Sequence, residues 1–143
     1  MATDTPPRYE FFDHTADIGI RASAPSLEAL FIQLARGLTA LIAEDSTVAS
    51  GETRPIRLEA PDAEALLLKW LQELLFWFSA DGFLAAEYAL SEVTPTSLGG
   101  LVRGERFDPA RHQQGREVKA ITRHLLEVRQ EDGAWRGQVI VDI

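Results

Sequence analysis

The 143-residue sequence contains no cysteine and a single methionine. The lack of cysteine excludes disulfide bonds, thiolate zinc sites and cysteine nucleophiles. No apolar run is long enough to cross a bilayer, because Lys69, Gln72 and Glu73 interrupt the most apolar stretch. The segment 1–7 also lacks the basic and apolar regions of a secretory signal. We therefore expect a soluble, cytoplasmic protein with no membrane partner.

Basic residues are few: 14 lysines and arginines face 22 acidic residues, which gives a formal net charge of −8. Proteins that grip a phosphate backbone usually carry a basic face, and here the basic residues occur only in short groups such as the one at 111–123. We expect no direct sequence-specific nucleic-acid binding. The acidity favours a metal ion or a basic protein surface as partner, although solubility alone accounts for it equally well.

The apolar pattern predicts one α+β domain at 9–143, preceded by a flexible lead-in at 1–8. Two amphipathic helices begin after the N-cap candidates Ser26 and Asp62. The order is β-β-α-β-α followed by four strands, near 83–93, 97–105, 117–130 and 135–143. The tripeptide 131–133, Glu-Asp-Gly, is a strong hairpin signal between the last two. Two helices packed on mostly antiparallel sheets make a layered α/β sandwich.

The segment 13–20 places two carboxylates and an imidazole ahead of an alternating apolar run. One interpretation is turn chemistry, in which Asp13 and Asp17 bond to nearby amides and His14 packs as a half-buried ring. In the other interpretation, Asp17 is a hard-oxygen ligand for Ca²⁺ or Mg²⁺. His14 is then not a ligand itself but orients a carboxylate or a bound partner. Asp13 then has a turn or supporting role. Spacing alone leaves both interpretations open.

The last residues of the sequence, Val141-Asp142-Ile143, follow another apolar strand. Last residues are often frayed. An apolar strand that runs to the last residues predicts instead that Asp142 and the carboxylate of Ile143 hold a defined position. Two anions at one place repel each other unless a cation joins them.

The segment 116–124 alternates charged and apolar residues. It is either a solvated strand edge that opposes aggregation or one wall of the pocket that contains Asp17, with Lys119 and His124 as lining residues. No phosphate-binding loop, nucleophile elbow or helical zinc motif occurs in the sequence. Generic enzyme signatures are therefore absent.

Several segments together resemble the archease family, in order and over nearly the whole chain. They are 14–19 (His-Thr-Ala-Asp-Ile-Gly), 66–71 (Leu-Leu-Leu-Lys-Trp-Leu), Gly104-Glu105, 108–112, 117–124 (Glu-Val-Lys-Ala-Ile-Thr-Arg-His) and Asp142-Ile143. Asp17 and Asp142 match the family's metal-binding aspartates, and Ile143 matches the C-terminal residue that completes the site. Arg123 departs from the family, which often has an aromatic residue there.

The resemblance implies an accessory protein that is not itself an enzyme. Archeases activate the RtcB-type RNA ligase of tRNA splicing and RNA repair by promoting its guanylylation and multiple turnover. The implied cofactor is a divalent cation, Ca²⁺ first, with Mg²⁺ or Mn²⁺ as alternatives. Two other functions stay open: a metal-dependent hydrolase using the Asp17 and Asp142 carboxylates with His14 or His124 as general base, and an interaction module whose acidic residues only cap strands.

Overall fold

The computed structural model describes residues 6–14, 17–44 and 46–143, with His14 described by its backbone alone. Within these ranges the chain forms eight strands and two helices, and β1 begins at the last residue of the predicted lead-in. In chain order they are β1 (Arg8–His14), β2 (Asp17–Ala24), α1 (Leu27–Ile42), β3 (Glu52–Glu59), α2 (Ala63–Asp81), β4 (Phe83–Thr94), β5 (Ser97–Arg106), β6 (Ala120–Ile121), β7 (Glu127–Glu131) and β8 (Ala134–Asp142).

The strands form two antiparallel sheets. The large sheet has the order β1-β2-β8-β6, and β7 pairs with the same edge of β8 as β6 does. The small sheet has the order β3-β5-β4. Each helix contacts strands of both sheets, so the two sheets and the helices share one core. The predicted α+β sandwich in a single domain is confirmed. Neither described helix is long and apolar enough to cross a membrane.

Helix α1 begins where the sequence predicts. The Ala29 N–H donates to Ser26 Oγ at 3.1 Å, which satisfies one of the unpaired donors of the first turn. Its apolar stripe is buried against the large sheet, and each fully buried leucine contributes about 2 kcal/mol. Gly37 permits this approach, since a Cβ there would lie 2.7 Å from Ile20 Cγ2. Helix α1 thereby holds β2 in place.

Helix α2 is buried on more than one side, as its composition predicts. Asp62 caps its start by accepting from the Ala65 N–H at 2.8 Å, and Gly82 ends it in a left-handed conformation with φ of 79°. The fully buried Trp70 donates its indole N–H to the Phe31 carbonyl at 2.9 Å. This bond ties α2 to α1 without leaving a buried donor unpaired.

The predicted single strand at 117–130 is wrong. The chain forms the short β6, leaves the ladder, and rejoins it as β7 after a turn in which Leu125 has φ of 54°. Thr122 makes the last bonds to β8, its N–H (3.0 Å) and its hydroxyl (2.8 Å) both donating to the Ile140 carbonyl, and the turn that follows is closed by the Leu126 N–H donating to the Arg123 carbonyl at 3.2 Å. The hairpin at 131–133 is present, with positive φ at Asp132 and Gly133 as a type I′ turn requires.

Candidate metal centre

The register of the large sheet places Asp17 directly opposite Asp142. Asp17 is the first residue of β2 and Asp142 the last of β8, and the two strands pair antiparallel through eight residue pairs. Side chains of directly paired residues lie on the same face, with Cβ atoms about 4.5–5.5 Å apart. Both aspartates are half-buried. Two motifs from opposite ends of the sequence therefore meet at one point.

These carboxylates lie on the face of the large sheet that points away from the helices, which we call the outer face. Ile20, Val139 and Val141 belong to the core cluster on the helix side, whereas Ile140 is buried outside that cluster. Because side chains alternate along a strand, Asp17 and Asp142 take the side opposite Val141. The core packing thus fixes which way the acidic side chains point.

The end of β8 is held on both edges. Beside the pairing with Asp17, Asp142 pairs with Ala120 of β6, and its carbonyl accepts the Lys119 N–H at 2.7 Å. Ile143 is half-buried and packs against the core. Asp142 and Ile143 therefore occupy defined positions in the fold.

The other predicted site residues fall in different places. Ala120 stands opposite Asp142, while the neighbouring Lys119 is exposed and contributes its backbone N–H. His124 is exposed in the turn after β6, where its N–H donates to Thr122 Oγ1 at 3.3 Å. Since Thr122 is bonded to β8, the turn is fastened two residues before Asp142.

Asp13 and His14 separate across β1. The His14 backbone pairs with Asp17, and the His14 side chain lies outside the described part of the chain. Asp13 pairs with Ile18 and takes the opposite face, where it lines a groove with Phe11 and Leu41. The structure therefore does not bring Asp13 together with Asp17.

A second polar cluster surrounds Glu105 at the end of β5. One carboxylate oxygen accepts the Ala49 N–H at 2.6 Å and faces His112 Nε2 at 2.9 Å, and the other binds Arg111. Nδ1 of His112 accepts the Asp108 N–H at 2.8 Å, so the ring proton lies on Nε2 and points at Glu105. These donors, the Ala49 amide first, lower the pKa of Glu105 to about 2.

This Glu105 cluster anchors the loop that leads to the candidate site at Asp17 and Asp142. The loop between β5 and β6 continues over the end of α1, where the Gly115 N–H donates to the Ile42 carbonyl at 2.9 Å. Only glycine fits there, since a Cβ would lie 2.1 Å from the Leu41 carbonyl oxygen. The loop ends at the bond from Lys119 to Asp142. The loop is therefore fastened at the buried His112, at the end of α1 and at the end of β8.

The sequence pattern did not mark Glu105 or His112 as site residues. The available signal was the spacing of four residues between Asp108, which precedes a proline, and His112. That spacing lets a histidine ring turn back to the amide at the start of the turn. Sequence alone could not show which of the acidic residues accepts the hydrogen bond from the His112 ring N–H.

The donor set at Asp17 and Asp142 fits a hard divalent cation. Carboxylates suit Ca²⁺ or Mg²⁺, and two like charges in direct register destabilise a sheet unless a cation lies between them. Across the described ranges no three His, Cys, Asp or Glu side chains form a cluster able to hold a metal. These two side chains are fewer oxygen donors than a Ca²⁺ or Mg²⁺ ion takes, so they are candidates for part of a site only.

Comparison with known proteins agrees with this fold. The model of the archease protein family (MTH1598/TM1083) matches residues 9–143. The chain belongs to the archease family. It is 36% identical over 141 residues to the archease of Methanosarcina mazei, covering 95% of this chain and 96% of that protein. The archease of Pyrococcus abyssi is also 36% identical over 141 residues, covering 95% and 99%.

Two solved structures resemble this archease-family chain. The solution structure of Methanobacterium thermoautotrophicum protein 1598 superposes with a TM-score of 0.79 at 33% identity, covering 94% of this chain and 98% of that one. The Thermotoga maritima crystal structure is described as an archease, possible chaperone; it has a TM-score of 0.60 at 18% identity and covers 92% and 94%. The second likeness concerns the fold alone.

Proposed function

We propose that this chain is an accessory protein that activates an RtcB-type RNA ligase in tRNA splicing or RNA repair. In this role it promotes guanylylation of the ligase and multiple turnover, and it is not itself a catalyst. A divalent cation, Ca²⁺ in the first instance, is held by Asp17, Asp142 and the carboxylate of Ile143. Membership of the archease family supports the accessory role.

The observation that most supports the proposed metal site is the register between β2 and β8. The protein keeps two carboxylates in direct opposition on adjacent strands, although the fold could place any polar pair there. A cation converts this repulsion into attraction, and the rigid ladder supplies the geometry in advance. The site is therefore built by pairing of two distant segments and forms only in the folded chain.

Each described residue has a definite task in this proposal. Asp17 and Asp142 supply anionic oxygens, and the Lys119 N–H fixes the strand end by binding the Asp142 carbonyl. When bound, the cation offers positive charge to phosphoryl oxygens during nucleotidyl transfer. The formal charge of −8 favours approach to a ligase whose RNA-binding face is basic.

Single-turnover guanylylation of the cognate ligase, with and without this chain, tests the proposal. We expect stimulation by the wild type and its loss in Asp17→Asn and Asp142→Asn. Asp13→Asn is the matched control, because Asp13 belongs to the same segment but the opposite face of the sheet. Full stimulation by Asp17→Asn would show that the cation site is not required.

The hydrolase alternative is separated by an assay without ligase. Turnover of a phosphoester by the purified chain, abolished in Asp17→Asn, would replace the accessory role with catalysis. We expect equal inactivity of wild type and variant in that assay, combined with guanylylation stimulation by the wild type.

A further inference from the structure

The outer face of the large sheet carries an arginine row at the end away from Asp17. The register pairs Arg8 of β1 with Ser23 of β2, Ser23 with Arg136 of β8, and Arg136 with Arg129 of β7. Three of the four residues in one line across the sheet are therefore arginines. Asp17 and Arg21 are four residues apart on β2, a separation of about 13 Å, so the row is distinct from the metal centre.

These arginines surround a partly enclosed cavity of about 110 Å³. Arg21, one row closer to the metal centre, also lines it, together with the nearly buried Ser23 hydroxyl and the Gln138 side chain. Two carboxylates, Glu10 and Glu127, line the same cavity. Four cationic groups against two anionic ones give it a positive balance in a chain that is acidic overall.

Two of the arginines form no ion pair within the described ranges, although Glu10 of β1 stands directly opposite Arg21. Arg8 approaches only Ser23, with Nε 3.5 Å from Oγ, and forms no ion pair there. Arg21 forms no ion pair with a described residue either; its guanidinium lies 4.2 Å above the centre of the Phe12 ring. The ring in turn covers the backbone of Gly19. The stack orients Arg21 and leaves the donors of its guanidinium edge available.

The other two arginines are incompletely compensated. Arg129 lies 3.7 Å from Glu127 and 3.5 Å from Glu131, distances of loose surface ion pairs. Arg136 Nε is 3.2 Å from Glu131, yet it is buried and makes no hydrogen bond, because the carboxylate is out of line. Like charges directly opposite on neighbouring strands are destabilising. An anion in the cavity would remove the repulsion and use the unbonded donors.

We propose that the cavity is a phosphate-binding site. Guanidinium groups present forked donors that match phosphate oxygens, and the Ser23 hydroxyl supplies a neutral donor of the kind that fixes orientation. The phosphate belongs either to single-stranded RNA or to a free nucleotide, and both sources share this chemistry. Contacts of this kind read no base sequence. The site does not rest on the metal centre or on the accessory role.

The test is equilibrium binding by the whole chain alone. The probes are inorganic phosphate, GTP and a fluorescent single-stranded RNA of about ten nucleotides at low salt, since one single-strand site spans about 4–16 nucleotides. We expect at least tenfold weaker binding of RNA or GTP by Arg8→Gln/Arg21→Gln, and a salt dependence of RNA binding that is shallower by about one unit of slope. Inorganic phosphate should compete with whichever probe binds.

The matched control is Arg57→Gln/Arg103→Gln, which removes two exposed arginines from the small sheet. Both double variants have the same formal charge, so an effect of net charge alone would appear equally in both. A second pair, Arg8→Lys/Arg21→Lys, keeps the charge and removes the forked donors. It should still weaken binding several-fold, because lysine binds phosphate as a point charge.

Each outcome decides the proposal. Binding of RNA but not GTP identifies a nucleic-acid backbone as the source, and the reverse identifies a free nucleotide. Equal losses in the site and control variants, or no binding of any phosphate probe, would overturn the proposal. Binding of an oligoglutamate peptide of matched charge as tightly as RNA or GTP would also overturn the proposal, because the cavity would then recognise acidic peptides rather than phosphate. If Arg8→Gln/Arg21→Gln had a lower unfolding midpoint but bound the probes as tightly as the wild type, the arginines would be only structural.

Discussion

Glu105 and the pair Asp17 and Asp142 show two ways in which one small protein handles half-buried carboxylates. Glu105 is surrounded by donors from Ala49, Arg111 and His112. Asp17 and Asp142 instead face each other across a strand pair. Glu105 is therefore surrounded by hydrogen-bond donors, while Asp17 and Asp142 bring two acidic side chains into register.

The difference distinguishes a structural carboxylate, Glu105, from the two carboxylates proposed to bind a cation. Internal donors hold Glu105 ionised and lower its pKa, so its charge strengthens the fold. Like charges in direct register disfavour strand pairing, and a cation held between Asp17 and Asp142, as proposed, would offset that cost. The two regions should therefore respond in opposite directions when a carboxylate is removed.

The largest expected effect is on cation binding by Asp17→Asn/Asp142→Asn. Removing both anionic side chains should lower Ca²⁺ affinity at least 100-fold, a loss of about 2.7 kcal/mol. Thermal unfolding with and without Ca²⁺ measures this, because a ligand that binds only the folded state raises the midpoint. Asp13→Asn should keep the full Ca²⁺-dependent rise; a rise retained by the double variant would contradict the site.

Glu105→Gln should destabilise the fold by about 2 kcal/mol near neutral pH, since it removes hydrogen bonds made by a charged group. The folded pKa of about 2 lies below the ordinary value of 4.5, so the carboxylate's contribution is complete above 4.5 and is lost as pH falls towards 2. Urea unfolding between pH 4.5 and 2 should show that the free energy of unfolding of Glu105→Gln depends less on pH than that of the wild type. Arg111→Gln, which alters an exposed partner, is the milder control.

Extending the chain beyond Ile143 should weaken Ca²⁺ binding about fivefold to tenfold, or roughly 1 kcal/mol, because it removes the terminal carboxylate while both aspartates stay. Titration calorimetry of the extended and unextended chains measures the difference. An extended chain with the unfolding midpoint of the parent and the same Ca²⁺ affinity would remove Ile143 from the ligand set.

The smallest expected effect is on the free energy of unfolding, and its direction is what tests the account. In the presence of a chelator, Asp142→Asn should raise the free energy of unfolding by about 0.2–1 kcal/mol, because it relieves the repulsion with Asp17. Glu105→Gln under the same conditions should lower it. Chemical denaturation of both variants provides the comparison, and destabilisation by Asp142→Asn in chelator would contradict the view that the pair is strained without a cation.

Local signals predicted much of the fold. The caps at Ser26 and Asp62, the apolar stripes of both helices and the hairpin at 131–133 are encoded within a few residues each. The α+β fold class follows from the order of these helices and strands along the chain. The split of the segment 117–130 into β6 and β7 was not predictable, because its alternating pattern gives no sign of the turn that follows Thr122.

The candidate site was also predictable only in part. Two acidic strand ends were visible in the sequence, but their meeting depends on which strands pair and in which register. The same register separates Asp13 from Asp17 and lines up Arg8, Arg136 and Arg129, and neither result has a sequence signature. The Glu105 cluster joins three loops and strands, which no local pattern reports.

Anomalous diffraction from crystals of the chain grown with Mn²⁺ would locate the cation itself. We predict one anomalous peak bound by the Asp17 and Asp142 carboxylates, at about 2.0–2.6 Å from their oxygens, and its disappearance in Asp142→Asn. No peak between these carboxylates at saturating Mn²⁺, or a peak unchanged in the variant, would contradict the shared site.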